Sequence, residues 1–280
     1  MIEPMIKPWN EWDTDLLCAR VRLVGFDLDN TLANSKLPMK PRMAVRFSAL
    51  TRRIPVAVIT GGRYSLVVSQ ILDVLTPDAD LANLHLMPTS GTCYRRWMDG
   101  AWRRVFSHDL DADQRARAAA SLERRAREQG LWFEEVWGER IEDRGSQVTF
   151  SVLGQQAPLE AKQAFDPTGE LKERLARAVA ADLPDLKVHA AGYNSVDVAG
   201  RGIDKAFAIA QLASYTGIDV ADMIFVGDRM TPGGNDYPAA QAGVMGVAVT
   251  SPADTLRLID GLLARLPDAA APGAAETPRP

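Results

Sequence analysis

Two apolar runs, VRLVGF (21–26) and IPVAVI (54–59), lack any polar alternation, and a helical stretch opened by Pro41 and running through Arg53 separates them. A strand that is apolar on both faces must be covered on both faces, which is the condition of a parallel sheet sandwiched between helices. Proline at the first helical position fits that reading. RYSLVVSQILDVL continues as a second helix, LHLMPTSGT as a further strand, and a hairpin turning at Asp99-Gly100 follows. Strand and helix alternating at this spacing imply βαβ units.

After about Ser107 the texture changes. DADQRARAAASLERRAREQG reads as a long charged helix that Asp109 or Asp111 can cap, and SQVTFSVLG alternates like a half-solvated strand. A helix near Thr168 to Ala181 and the strands LKVHA and NSVDVAG complete an α+β block with one helical layer on an antiparallel sheet. From Lys205 the βα pattern returns through KAFAIAQLASYTG, DMIFVGD, GVMGVAV and ADTLRLIDGLLARL. The expected organisation is therefore an α/β, Rossmann-like parallel-sheet core formed by residues 1–106 and 192–266, interrupted by an α+β insert at 107–191. The Pro/Ala-rich tail 267–280 is expected to be disordered.

A net charge of −4 gives no general attraction to nucleic acid or an anionic membrane. No apolar run reaches 18 residues, and MIEPMIKPWNEWD lacks the apolar core of a signal peptide. Cys18 and Cys93 form no CxxC pair and read as free thiols, so the expectation is a soluble cytoplasmic protein. His85, His108 and His189 show no metal spacing and read as structural or exposed.

In an open parallel sheet, ligands sit beyond the carboxyl ends of the strands. Four such places here carry polar groups: Asp27 with Asp29, then Thr60-Gly61-Gly62, then the stretch before Lys205, then Asp228 with Asn235 and Asp236. Each alone has an ordinary structural reading: aspartates favour strand ends, Thr-Gly-Gly makes a tight turn, and lysine is usually solvated. A calcium loop counted from Asp27 puts Leu32 where glycine is required and Pro38 where the closing glutamate belongs, so it fails. Together the four fit phosphoryl transfer. Asp27 attacks phosphorus to give an aspartyl-phosphate, and Asp29 protonates the leaving oxygen and later activates water. Thr60 and the Gly61 and Gly62 N–H groups cradle an anion, and Lys205 neutralises the transferring oxygens. Mg²⁺ at Asp27 and Asp228, with Asn235 or Asp236 completing the shell, relieves the repulsion among the acids. Neither GxxxxGK[ST] nor a strand-linked GxGxxG is present.

With these residues assembled, the chain resembles the haloacid dehalogenase superfamily of phosphotransferases. DLDNT matches its first motif, TGG the second, Lys205 the third and GDRMTPGGND the fourth, spanning Val24 to Asp236. The insert matches the superfamily's large α/β cap of the second class, shared by Cof-like sugar phosphatases, sucrose-phosphate phosphatases and eukaryotic-type phosphomannomutases. The mutases are the most detailed match, through PGGND (Pro232 to Asp236), IEDRG with Arg144, and Ser195 and Asp197 ahead of GIDK. By that resemblance Arg144, Ser195 and Asp197 contact a sugar phosphate, and Asp29 joins the Mg²⁺ site. The chain departs from the mutases at Gln155 and at Lys162, where arginines are expected, and carries Asn30 where glycine is usual in the first motif. Glutamine does not reproduce arginine's bidentate fork.

The expected function is thus a Mg²⁺-dependent phosphatase acting on a small phosphorylated metabolite, a sugar phosphate, through an aspartyl-phosphate. The alternative is a phosphomannomutase. A phospho-signalling receiver or a silent phosphate-binding protein ranks below both. A receiver's acceptor aspartate ends a middle strand, whereas here the strand after Arg53 ends in Thr60, and no acid or lysine of the set is missing.

Overall fold

The computed structural model describes residues 3–267. The chain opens with a short strand, β1 (Ile6–Pro8), and a helix, α1 (Thr14–Arg20), whose first turn is capped by the Asp13 carboxylate. There follow β2 (Leu23–Phe26), α2 (Pro41–Thr51), β3 (Val56–Ile59), α3 (Tyr64–Gln70) and β4 (Leu84–Met87). Every residue of β2, β3 and β4 is buried, which is why their sequences are continuously apolar. β5 (Cys93–Met98) and β6 (Ala101–Ser107) form the hairpin expected at Asp99-Gly100, where both residues take positive φ (52° and 71°) as a type I′ turn demands.

The chain divides into two compact units, and the second comprises Phe106–Ile203. It begins with α4 (Ala112–Glu128), capped by Asp111 and not Asp109, in a reciprocal box with Gln114. β7 (Ile141–Asp143), β8 (Gln147–Ser151), α5 (Leu159–Phe165), α6 (Glu170–Asp182), β9 (Leu186–Ala191) and β10 (Ser195–Gly200) follow. The strands form an antiparallel sheet ordered β7-β8-β10-β9. Leu122 and Ala126 of α4 and Leu175 and Val179 of α6 bury against Val148, Phe150, Val196 and Val198.

Two expectations are corrected here. β10 lies between β8 and β9 in this sheet, so the insert does not end at 191 but runs to Ile203, and Ser195 and Asp197 belong to it and not to the core. The cause is the alternation of Val196 and Val198 with polar neighbours, which suits a sheet with one apolar face. β8, expected to be half solvated, is buried at all five residues. Its polar side chains are paired instead: Gln147 Nε2 donates to Thr149 Oγ1 (2.9 Å), and the Ser151 and Ser195 hydroxyls bond each other (2.8 Å).

The other unit resumes with α7 (Lys205–Thr216), β11 (Met223–Gly227), α8 (Tyr237–Gln241), β12 (Met245–Ala248) and α9 (Pro252–Leu263). Its eight-stranded sheet is ordered β1-β12-β11-β2-β3-β4-β5-β6, parallel from β1 to β4. Phe26, Phe47, Ile224, Val247, Leu258 and Ile259 belong to the cluster that holds α2 and α9 to the sheet. From β2 the chain moves outward one way through β3 and β4, and later the other way through β11 and β12. The carboxyl ends of β2 and β11 therefore flank the switch point of the sheet, the expected ligand crevice. No helix among the described residues is long and apolar enough to cross a membrane. The tail expected to be disordered falls, from residue 268 on, outside the described residues.

Candidate active site

Asp27 is the first residue past β2, and its N–H continues the ladder to the Val226 carbonyl of β11 (2.9 Å). That bond fixes the side chain at the switch point, where it is 4% exposed. Lys205 opens α7, whose first turn is capped by the Asp204 carboxylate accepting from Ala206 N (2.9 Å) and Phe207 N (3.2 Å). The lysine is 2% exposed, and its Nζ donates to Asp27 Oδ1 and to Asp236 Oδ1. A buried ammonium between two carboxylates is the arrangement that an ion needs to remain charged away from water. Nζ also sits 5.2 Å from the centre of the Phe225 ring.

Asp236 is fully buried, and its Oδ2 accepts the Arg229 N–H (2.9 Å), so the loop between β11 and α8 folds back on itself around this carboxylate. Two glycines allow that fold. A Cβ on Gly227 would lie 2.5 Å from Asp236 Cγ, and one on Gly234 would lie 2.1 Å from the Arg229 carbonyl oxygen. Gly227→Ala is therefore expected to displace Asp236 and to cost about 1–3 kcal/mol of stability, read as a lowered melting temperature. An unchanged melting temperature would refute this placement.

One oxygen each of Asp27, Asp228 and Asp236 lies within 4.8 Å of the others. Burial pushes the Asp27 carboxyl well above the usual aspartate range; Lys205 pulls it down, and Asp236 and Asp228 add to the rise. Burial, then Asp236, likewise raises Asp228. Burial acts to lower Lys205, but the charges of Asp236 and Asp27 outweigh it and hold the ammonium above the ordinary lysine value. Three acids against one buried cation leave the cluster short of positive charge.

The other residues named from the sequence divide into two groups. Asp29 stands near this cluster in sequence, and its carboxylate is not one of the trio. Its Oδ1 accepts from Lys36 N (2.8 Å) and Gln70 Nε2 (3.2 Å), bonds that orient the half-buried carboxyl. Asn235 is exposed. Asn30, in the glycine position of the first motif, has φ 61°, a left-handed conformation that asparagine tolerates better than other side-chain-bearing residues. Thr60, at the end of β3, is buried, and its Oγ1 accepts the Gly62 N–H (3.1 Å). The Thr60-Gly61-Gly62 segment is thus a tight turn with one of its N–H groups bonded internally.

Arg144, Ser195 and Asp197 lie in the insert. Arg144 Nε and Nη2 both bond Glu142 Oε2 (2.8 and 2.6 Å). Asp197 Oδ1 accepts from Thr149 Oγ1 (2.7 Å), and its Oδ2 stands 3.9 Å from His189 Nε2. Cross-strand register puts Glu142, Thr149, Asp197 and His189 in one row. Glu142 and Thr149 were not singled out from the sequence. The only signal was the Gln-x-Thr-x-Ser alternation of β8, which does not reveal its partner strand.

A sequence profile of the eukaryotic phosphomannomutases matches residues 133–265. The phosphomannomutase of Encephalitozoon cuniculi is 24% identical over 247 residues, covering 86% of this chain and 93% of its own length. That of Saccharomyces cerevisiae is 24% identical over 246 residues, covering 86% and 93%. Among solved structures, Plasmodium falciparum IMP-nucleotidase superposes with a TM-score of 0.67 at 15% identity, covering 90% of this chain and 73% of that one. Aspergillus fumigatus trehalose-6-phosphate phosphatase gives 0.53 at 19% identity, covering 90% and 98%. At such identities the structural likenesses speak for the fold alone.

Proposed function

Because the chain belongs to the haloacid dehalogenase superfamily and is a phosphotransferase of that type, we propose that it relocates the phosphoryl group of a hexose phosphate by way of Asp27, as a phosphomannomutase does. The observation that carries the reading is Lys205, buried between Asp27 and Asp236 with Asp228 beside them at the sheet's switch point. The hydrolase expected first from the sequence has less support, since the sequence relatives are mutases.

In this scheme an Asp27 carboxylate oxygen attacks phosphorus, and the bond from phosphorus to the sugar oxygen breaks. Asp29, held by Lys36 N and Gln70, gives that oxygen its proton. A hydroxyl of the bound sugar monophosphate then attacks that phosphorus, the bond to Asp27 breaks and Asp29 takes the hydroxyl's proton; the sugar bisphosphate so formed returns its other phosphoryl group to Asp27 and leaves as the isomeric monophosphate. Lys205 stays charged and offsets the negative charge spread over the phosphoryl oxygens. Magnesium fits the trio, because hard carboxylate oxygens converge there and the cluster lacks positive charge. Bound to Asp27 and Asp228, with Asp236 supporting, it would supply charge neutralisation. Arg144, Ser195 and Asp197 take the sugar-recognition role by the resemblance to the mutases.

One observation favours hydrolysis as a second reading. The Arg144 guanidinium is engaged by Glu142, and the Lys162 ammonium donates to the Gln155 carbonyl (3.0 Å), so cations that could hold a second phosphate already have partners. Phosphorus NMR of the protein with a hexose 1-phosphate, a bisphosphate activator and Mg²⁺ separates the readings. Interconversion of the 1- and 6-phosphates is expected. Release of inorganic phosphate alone would replace the mutase reading by the hydrolase, and no Mg²⁺-dependent change in any phosphate ester would overturn both.

A further inference from the structure

The turn after β4 lies at the carboxyl ends of the strands, its backbone is forced over three consecutive residues, and the scheme above leaves its purpose unexplained. Thr89, Ser90 and Gly91 take positive φ in succession (50°, 57° and 88°). A left-handed conformation is uncommon for serine and an outlier for a β-branched threonine. Such strain persists only where surrounding structure over-determines it, and it gathers at functional sites. Here the constraints come from two neighbouring motifs. Ser90 N donates to the Thr60 carbonyl (2.8 Å) and Thr89 N to the Gly62 carbonyl (2.9 Å), tying the turn to both ends of the Thr-Gly-Gly segment. On its other side Gly91 packs on α7 so closely that a Cβ there would lie 2.4 Å from Ala208 Cβ, one helical turn beyond Lys205.

These contacts set the Ser90 side chain beside Gly61: a Cβ built on that glycine meets Ser90 Oγ at 3.8 Å and no other atom within 4 Å. Two hydroxyls thus line this rim. Thr60 is 2% exposed with its oxygen already accepting from Gly62 N, whereas Ser90 is half-buried and more accessible to a ligand. Thr89, by contrast, is buried with its hydroxyl bonded to that of Thr92.

We propose that Ser90 is a phosphate-binding residue of this site, its hydroxyl donating to a non-bridging oxygen of the phosphoryl group, and that the strained Thr89–Gly91 turn exists to aim it. The proposal rests on the phosphotransferase reading of the Asp27 cluster but not on the choice between mutase and hydrolase. A donor to a phosphoryl oxygen acts on every phosphate ester, whatever the leaving group.

The test uses the full chain in Mg²⁺ with Ser90→Ala, Ser90→Gly and Ser90→Asn. Ser90→Ala is expected to lower kcat/KM at least about tenfold for a hexose phosphate and equally for p-nitrophenyl phosphate, and to weaken inorganic phosphate in calorimetric titration by a similar factor. Ser90→Gly, which removes the hydroxyl and the backbone strain together, should melt no lower than the parent yet lose the same activity, a split that a merely structural serine would not give. Ser90→Asn, which tolerates the left-handed region and restores a donor, should recover part of the loss. Full activity in Ser90→Ala overturns the proposal, as does a recovered Ser90→Gly. If the parent turns over no ester, the phosphotransferase reading fails separately. The phosphate titration then decides alone: weaker binding in Ser90→Ala sustains the assignment, and equal or absent binding in parent and variant ends it.

Discussion

Asp27→Asn is expected to give a folded protein that forms no phosphoenzyme and turns over its substrate several orders of magnitude more slowly. The amide nearly matches the carboxylate in shape, so the ladder bond from residue 27 to Val226 survives, but it offers no nucleophilic oxygen. Residual rate, of the order left when a nucleophile is removed from a site that still binds, comes from positioning by the other residues. Stability should fall little. In the parent, burial opposes the Asp27 charge, and asparagine avoids that cost while Lys205 keeps Asp236 as its partner. Mass spectrometry of the protein mixed with substrate and quenched in acid should show the phosphorylated species in the parent alone. A phosphorylated Asp27→Asn variant, or one with near-normal turnover, would remove Asp27 from its role.

How far the sequence discloses such a site depends on whether the cause of each feature is local. β2, β3 and β11 are legible because each is a continuous apolar run followed by a polar residue, and the crevice at their carboxyl ends follows from the alternation of strands and helices. α4 is legible because its cap and its periodicity sit in the same stretch. β1 is not: three residues pairing with β12 at the sheet edge carry no period, and their pairing depends on residues 246–248. The same holds for α1 and the seven-residue α5. The burial of β8 is not legible because its polar residues find partners on β10, more than forty positions away. The insert boundary moved from 191 to 203 for the same reason, since β10 is a strand whose sheet is chosen by long-range pairing. At the site, the second carboxylate of the first motif was visible but its environment was not, because the amide of Gln70 that orients it comes from the far end of α3.

The largest loss of stability is expected from Lys205→Met, and its dependence on pH tests the electrostatics of the whole cluster. Removing one partner of a buried ion pair leaves the others uncompensated, at a cost of about 3–5 kcal/mol. In the parent, the lysine's folded value lies above its unfolded one. Its contribution is therefore fully present below the ordinary lysine value of about 10.4 and is lost only as pH rises through the higher folded value. Asp27 works in the opposite direction. Its folded value is also raised, but for an acid this means that the neutral form is favoured in the folded protein. Stability linked to it is present at acid pH and declines as pH climbs from about 3.9 toward that folded value. Taking away Lys205 removes the main charge pulling Asp27 down, so the decline should extend to higher pH. The gap in melting temperature between parent and Lys205→Met should accordingly be present already at pH 5 and widen toward pH 8. Added Mg²⁺ should narrow it at pH 8, where Asp27 is ionised, and less at pH 5, where a proton holds it. A gap of equal size across that range would mean that methionine harms packing alone, and that the lysine does not serve as the counter-charge of the acids around Asp27.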